Sequence, residues 1–240
     1  MAESSERYVP GLVWTRSRSG GRGTGPKLDR ETIVRGAIEL LDRDGLAGLS
    51  MRQLGKHLNC AATTLYWHVA NKEELLDLIF DEVMDELPDP ESTADWRAQV
   101  MLIMGELRAM MLRHPWYVRI YGSRPTFGPR SLRFNAGLLG VLLRAGFEGA
   151  LLDQAQAALV HYVVGAVTSE LNWRAWRGLP PEELEPLMAY MNDAIRAYPE
   201  YMEHIKGYLY VTVPETVMED RFTTALESLL DGLAIRLDGK

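Results

Sequence analysis

Between Ser50 and Lys72 the chain reads SMRQLGKHLNCAATTLYWHVANK, and that stretch permits little besides two short helices joined by a tight turn. Ser50 with Gln53 three residues on is a capping pair that satisfies free amides at a helix start. Leu54 and Leu58 fall about one turn apart and give that helix an inward face. Asn59 tolerates the left-handed conformation that ends a helix. The second helix is expected from about Ala62 to Val69, anchored by Leu65 and Val69 at i and i+4. This anchoring leaves Thr63, Thr64, Tyr66, Trp67 and His68 on the other faces. Hydroxyls and imidazole reach phosphates and base edges, and methyls touch thymine, so such a helix suits a DNA major groove. The competing reading makes Tyr66 and Trp67 core packing, a role Leu65 and Val69 already fill.

The flanking sequence supports this pair. A first helix is expected from Asp29 to Arg43, with Ile33, Ala37, Leu40 and Leu41 on one face and Gly45 as its stop. Another starts at Asn71, capped with Glu74, carries Leu75, Leu76, Leu78, Ile79 and Val83, and ends before Pro88. Lys72, in its first turn, is placed to grip a phosphate beside backbone amides. Residues 1–27 are rich in Gly, Ser and Arg and have little to bury, which predicts a flexible segment. Within it Arg16, Arg18, Arg22 and Lys27 suit an arm on the phosphates or in the minor groove; a simple soluble tail is the other reading. The glycines at 21, 23 and 25 follow no strand and lack the GK pair of a phosphate loop.

Charge is polarised along the chain. The net charge of −7 argues against nucleic acid by itself, but residues 1–72 hold eleven Lys and Arg against seven Asp and Glu, and the remainder fifteen against twenty-six. A basic head on an acidic body docks head first on DNA. Cys60 is the single cysteine, which excludes an intramolecular disulfide framework. No uninterrupted apolar run of membrane-spanning length and no leader pattern occur, so no membrane partner is expected and the cytoplasm is the default location.

The rest reads as helical throughout, which makes the chain all-α. Two long apolar segments, near 151–177 and 215–237, suit a four-helix interface between two copies, although both stripes can also pack within one chain. A twofold dimer sets two recognition helices about one DNA turn apart, roughly 34–36 Å, on a palindromic site. Ile103, Leu107, Trp116, Tyr121, Phe127, Leu138, His161 and Trp173 are the materials for a ligand pocket, being apolar or aromatic with few charges nearby. His161, on an apolar helix face, is expected to be a core histidine.

LDRETIVRGAIELLDRDGLAGLSMRQLGKHL followed by TTLYWHVANKEELL resembles the DNA-binding head of the tetracycline-repressor (TetR) family over Leu28 to Leu87, and the remainder resembles it only in layout. The resemblance implies a basic arm (1–27), a three-helix helix-turn-helix domain (28–72), and a linking helix leading into a helical ligand-binding and dimerisation domain (73–240). It carries Thr64, Tyr66, Trp67, His68 and Lys72 over as DNA contacts and Arg52 as a reader of guanine. Thr63 and Ala62 depart from the family's namesake, which implies a different operator. The positions implied for a magnesium–tetracycline site hold Ile120, Ile103 and Ser169, with Glu170 beside the last, so the expected effector is a hydrophobic or aromatic small molecule. No metal or cofactor is expected. A helical enzyme is the distant alternative, without HExxH, GxSxG or a Cys/His cluster to support it; a DNA-binding regulator without a ligand is the nearer one.

Overall fold

A computed structural model describes residues 8–15, 28–89, 95–206 and 215–239, with side chains 203–216 left out of the description. Eleven α-helices and no strand occur among the described residues. The chain divides into two units, residues 1–156 and 157–240, with α8 running through the division.

In the first unit, α1 (Arg30–Gly48) begins at Asp29, whose carboxylate accepts from the Thr32 amide at 2.8 Å. Its expected stop is present: Gly45 has φ 66, and the last three residues form one further turn beyond that kink. The buried face is Ile33, Val34, Ala37, Leu40 and Leu41. Next come α2 (Met51–His57), α3 (Ala62–Leu65) and α4 (Lys72–Glu82), the last extended by a 3-10 turn, Val83–Glu86. Helix α4 packs on both α1 and α7, so residues 28–72 are seated on the helices that follow them. Three acids on α4, Glu74, Asp77 and Asp81, are buried. Asp81 accepts from the amides of Ser131 (2.8 Å) and Arg130 (3.2 Å), and so caps the start of α7 (Pro129–Arg144) from another helix. Helices α5 (Trp96–Arg113) and α6 (Pro115–Ile120) complete the unit, with α5 packed on α6 and α7.

The N-terminal segment corrects one expectation. Residues 8–15 have a structure of their own: a 3-10 turn, Leu12–Thr15, packs on α4, with Val13 buried. Composition missed this because the partners that order the segment lie more than sixty residues away.

The second unit takes in most of α8 (Gly149–Arg177), α9 (Pro181–Ile195), α10 (Pro199–Lys206) and α11 (Glu215–Asp238). Leu159, Val163 and Val167 form a buried stripe on α8 at spacings of four, and Phe222, Leu226, Leu230 and Leu233 one on α11. The Tyr162 hydroxyl donates to the Phe222 carbonyl at 2.7 Å, with the two rings stacked 5.5 Å apart. His161 is exposed, contrary to the core role expected for it. Two residues from Leu159 and from Val163 is 200° around a helix, which puts it opposite the stripe.

Candidate nucleic-acid interface

The capped starts in the sequence are realised. The Gln53 amide donates to Ser50 Oγ (3.2 Å) at the head of α2, and the Glu74 amide to Asn71 Oδ1 (2.8 Å) at the head of α4. The reciprocal bond at α4 runs from the Ala70 amide to the Glu74 carboxylate at 3.3 Å, one residue before the cap. Asn59 has φ 52, the left-handed value expected of it.

Close approach of α2 and α3 depends on Gly55. The Cys60 amide donates to the Gly55 carbonyl at 2.8 Å, and a Cβ on Gly55 would stand 2.8 Å from the Cys60 carbonyl oxygen and 3.2 Å from the Ala62 nitrogen. Both obstacles are backbone and cannot swing away. Gly55→Ala is therefore expected to destabilise the fold by about 1–2 kcal/mol, read as a lowered urea midpoint at unchanged slope.

Helix α3 is shorter than expected, four residues followed by turns. The Trp67 amide donates to Thr64 and those of His68 and Val69 to Leu65. Leu65 and Val69 are buried at 0% and 1%, as their spacing requires, while Tyr66 is 51% and Trp67 84% exposed. Thr63 and Arg52 are exposed; Thr64 and His68 are half-buried. Helices α2 and α3 pack on one another, and with the turn after α3 they present a guanidinium, hydroxyls and two aromatic rings that no core demands. Arg16, Arg18, Arg22 and Lys27 lie outside the described residues.

Arg30 and Lys72 each make an internal bond that nothing local in the sequence marks. Arg30 Nη2 donates to the His68 carbonyl at 3.3 Å, tying α1 to the turn after α3. Lys72 Nζ donates to the Leu49 carbonyl at 2.6 Å, tying α4 to the α1–α2 junction. An ammonium has three donors, so Lys72 serves this internal bond and retains two others.

A polar junction joins α1, α6 and the 3-10 turn after α4. Asp42 Oδ1 lies 2.7 Å from His114 Nδ1 and accepts from Trp116 Nε1 at 2.7 Å; Glu86 Oε1 lies 2.7 Å from His114 Nε2. Arg113 donates to Glu86 through Nε (3.0 Å) and Nη2 (2.6 Å). Burial acts to lower the His114 pKa, but the bonds to Asp42 and Glu86 overcome it and hold the imidazole above its usual value. Trp116, expected among the ligand contacts, is committed to this junction. No sequence signal marked it beyond a histidine and a tryptophan on either side of Pro115.

The other expected ligand contacts are dispersed. In the first unit Ile103, Leu107 and Leu138 are buried in α5 and α7, Tyr121 is half-buried, and Phe127 is 54% exposed with its ring edge-on to Trp14 at 5.8 Å. In the second unit Trp173 is buried, with the Arg177 guanidinium 4.8 Å from its ring centre. Ser169 is exposed, and the inward position beside it belongs to Glu170, which pairs with Arg174 at 2.9 Å.

Comparison with known proteins bears on this geometry. Residues 33–79 match the family model described as bacterial regulatory proteins, tetR family, and residues 87–237 match the tetracyclin repressor-like C-terminal domain. The chain is 42% identical over 172 residues to an HTH-type transcriptional regulator of Saccharopolyspora erythraea, covering 71% of this chain and 72% of that protein. It is 35% identical over 162 residues to the HTH-type transcriptional repressor DrrR1 of Streptomyces coeruleorubidus, covering 67% of this chain and 60% of that one. Among solved structures it is similar to the Streptomyces coelicolor TetR family protein ActR in complex with actinorhodin, with a TM-score of 0.69, 27% identity, and coverage of 88% of this chain and 99% of ActR.

Proposed function

Because the chain belongs to the tetR family of bacterial regulatory proteins, it is a ligand-responsive DNA-binding transcriptional regulator, and we propose that it is a repressor released from a palindromic operator by a hydrophobic or aromatic small molecule. The observation that carries the reading is the surface of α2, α3 and the turn after α3: Trp67 and Tyr66 stand in solvent, between Leu65 and Val69, which are fully buried. A structure spends no core residue there, whereas a DNA groove accommodates every group displayed. The effector class is supported by ActR, a structural relative seen with actinorhodin, and by the apolar character of Ile103, Leu107 and Leu138.

Dimerisation is proposed through α8 and α11. Helix α8 is long and apolar enough to cross a membrane by length and composition, yet only 22% of its most apolar 18-residue stretch is buried. Gly165 on α8 and Gly232 on α11 each face open space. Exposed apolar length with small residues suits a second copy of the same helices. Gly165→Leu is expected to raise the dimer dissociation constant about tenfold, a cost of roughly 1.4 kcal/mol, measured by analytical ultracentrifugation. An unchanged constant would move the interface elsewhere.

The test of the whole reading is selection of bound duplexes from fragments of the source genome, at near-physiological salt with competitor DNA. A palindromic site should be enriched; random recovery would defeat the proposal. On the selected duplex, Arg52→Ala should relax preference at one base pair by about 1–3 kcal/mol, while Lys72→Ala should weaken all sequences alike and reduce the salt slope by about one. Equal losses on every sequence from both variants would remove Arg52 as a base reader.

A further inference from the structure

The segment Tyr8–Thr15 is seated at the point where the head meets the helices behind it. Its Tyr8 hydroxyl donates to Asp77 Oδ1 at 2.6 Å, and its Gly11 amide donates to Asp77 Oδ2 at 2.9 Å. Asp77, on α4, is fully buried. Arg124, in the turn between α6 and α7, donates to the Tyr8 hydroxyl at 2.9 Å, to Asp77 at 3.2 Å and to the Glu73 carbonyl at 3.2 Å; its guanidinium lies 5.6 Å from the Tyr8 ring centre and pairs with the Glu73 carboxylate. Trp14 closes the other side of the seat against Phe127 in the same turn. Gly11 has φ +78, and a Cβ there would collide with the Phe127 ring. The segment thus touches α4 and the 124–127 turn together, through groups that need both.

We propose that residues 8–15 are a strap that holds α4 against the turn between α6 and α7, and that its seating sets how firmly the DNA-binding head is held in a binding-competent arrangement. Helix α4 is the right place for such a device. It carries the Asn71 cap and Lys72, which reaches the Leu49 carbonyl in the head, and it carries Asp81, which caps α7. Any shift of α4 relative to the 124–127 turn breaks the Tyr8–Asp77–Arg124 cluster. Unseating the strap leaves Asp77 with Arg124 alone, so α4 gains freedom. A head that samples more arrangements binds DNA with an apparent affinity reduced by the fraction competent.

The test uses the full chain with Gly11→Val, which blocks seating by both backbone conformation and the Phe127 collision while leaving α4 and the turn unaltered. Tyr8→Phe, which removes one hydroxyl, is the milder companion. Amide hydrogen exchange is compared with wild type, and affinity is measured for the duplex selected above. The expected result is exchange at least fivefold faster in residues 73–82 and 121–131, unchanged exchange in α11, and duplex binding at least fivefold weaker, with Tyr8→Phe intermediate. Unchanged exchange in 73–82, or uniform acceleration over the whole chain, would overturn the strap. Local acceleration with unaltered affinity would overturn its hold on the head. The affinity half rests on the repressor reading, and failure of wild type to bind any selected duplex would be the failure of that reading; the exchange pattern needs no DNA and decides the clamp separately.

Discussion

Replacing Trp67 by alanine weakens binding to the selected duplex about thirtyfold and leaves thermal unfolding where it was. Such is the expected result for a ring 84% exposed in the free protein. Leu65 and Val69, both buried, hold the local backbone without it, and surface substitutions of this kind move stability by no more than about 0.5 kcal/mol. Large aromatic side chains that become buried at interfaces cost about 2 kcal/mol or more when truncated, which is the thirtyfold. Anisotropy titrations must be run at one fixed salt, because phosphate contacts make affinity steeply ionic-strength dependent. Calorimetry on the same preparation supplies the control. A lowered melting temperature would make the ring a packing residue, and an unaltered affinity would remove the α3 surface from the DNA interface.

His114→Ala should cost about 3 kcal/mol of stability, since it deletes two charge-assisted hydrogen bonds and leaves Asp42 with Trp116, and Glu86 with Arg113, as their remaining donors. For a chain of this size that is roughly 6–12 °C in melting temperature. The effect has a pH signature. The His114 pKa is raised in the folded protein, so its contribution is complete below the unfolded value of about 6.5 and is lost as pH rises through the elevated one. Glu86 behaves in the opposite sense. Burial pushes its carboxyl up, but the bonds from His114 and Arg113 bring the net value below the ordinary one, so its contribution is lost as pH falls through that lowered value. The gap between wild type and variant should be widest from about pH 5 to 6.5 and should shrink on the alkaline side, where a neutral imidazole satisfies one carboxylate as donor and faces the other with a lone pair. Melting curves of both proteins from pH 5 to 9 measure it. A gap independent of pH would mean that His114 serves by packing alone.

The junction and the strap explain which parts of the site were legible. Ser50, Asn59 and Asn71 act on amides or dihedrals within a few residues of themselves, so the helix starts and the turn between α2 and α3 could be read directly. The exposure of Trp67 and Tyr66 is as the spacing of Leu65 and Val69 predicts, although the helix ends at Leu65 and turns carry the two rings. The place of Lys72 in a first turn suggests a phosphate contact, but nothing local marks the bond its ammonium makes to the Leu49 carbonyl, 23 residues back in the chain. The apolarity of its neighbours suggests an inward His161, and the phase of the buried stripe puts it outward.

The sequence by itself determined the all-helical build, the capped helix-turn-helix and the groups it displays, since these depend on period, capping and local backbone preference. Only the tertiary structure decided that Tyr8 and Gly11 converge on Asp77, that His114 and Trp116 share Asp42, and that Asp81 caps α7. Those partners are 49 to 74 residues apart. A buried carboxylate must find donors wherever packing brings them, and the identity of those donors is settled by which helices meet.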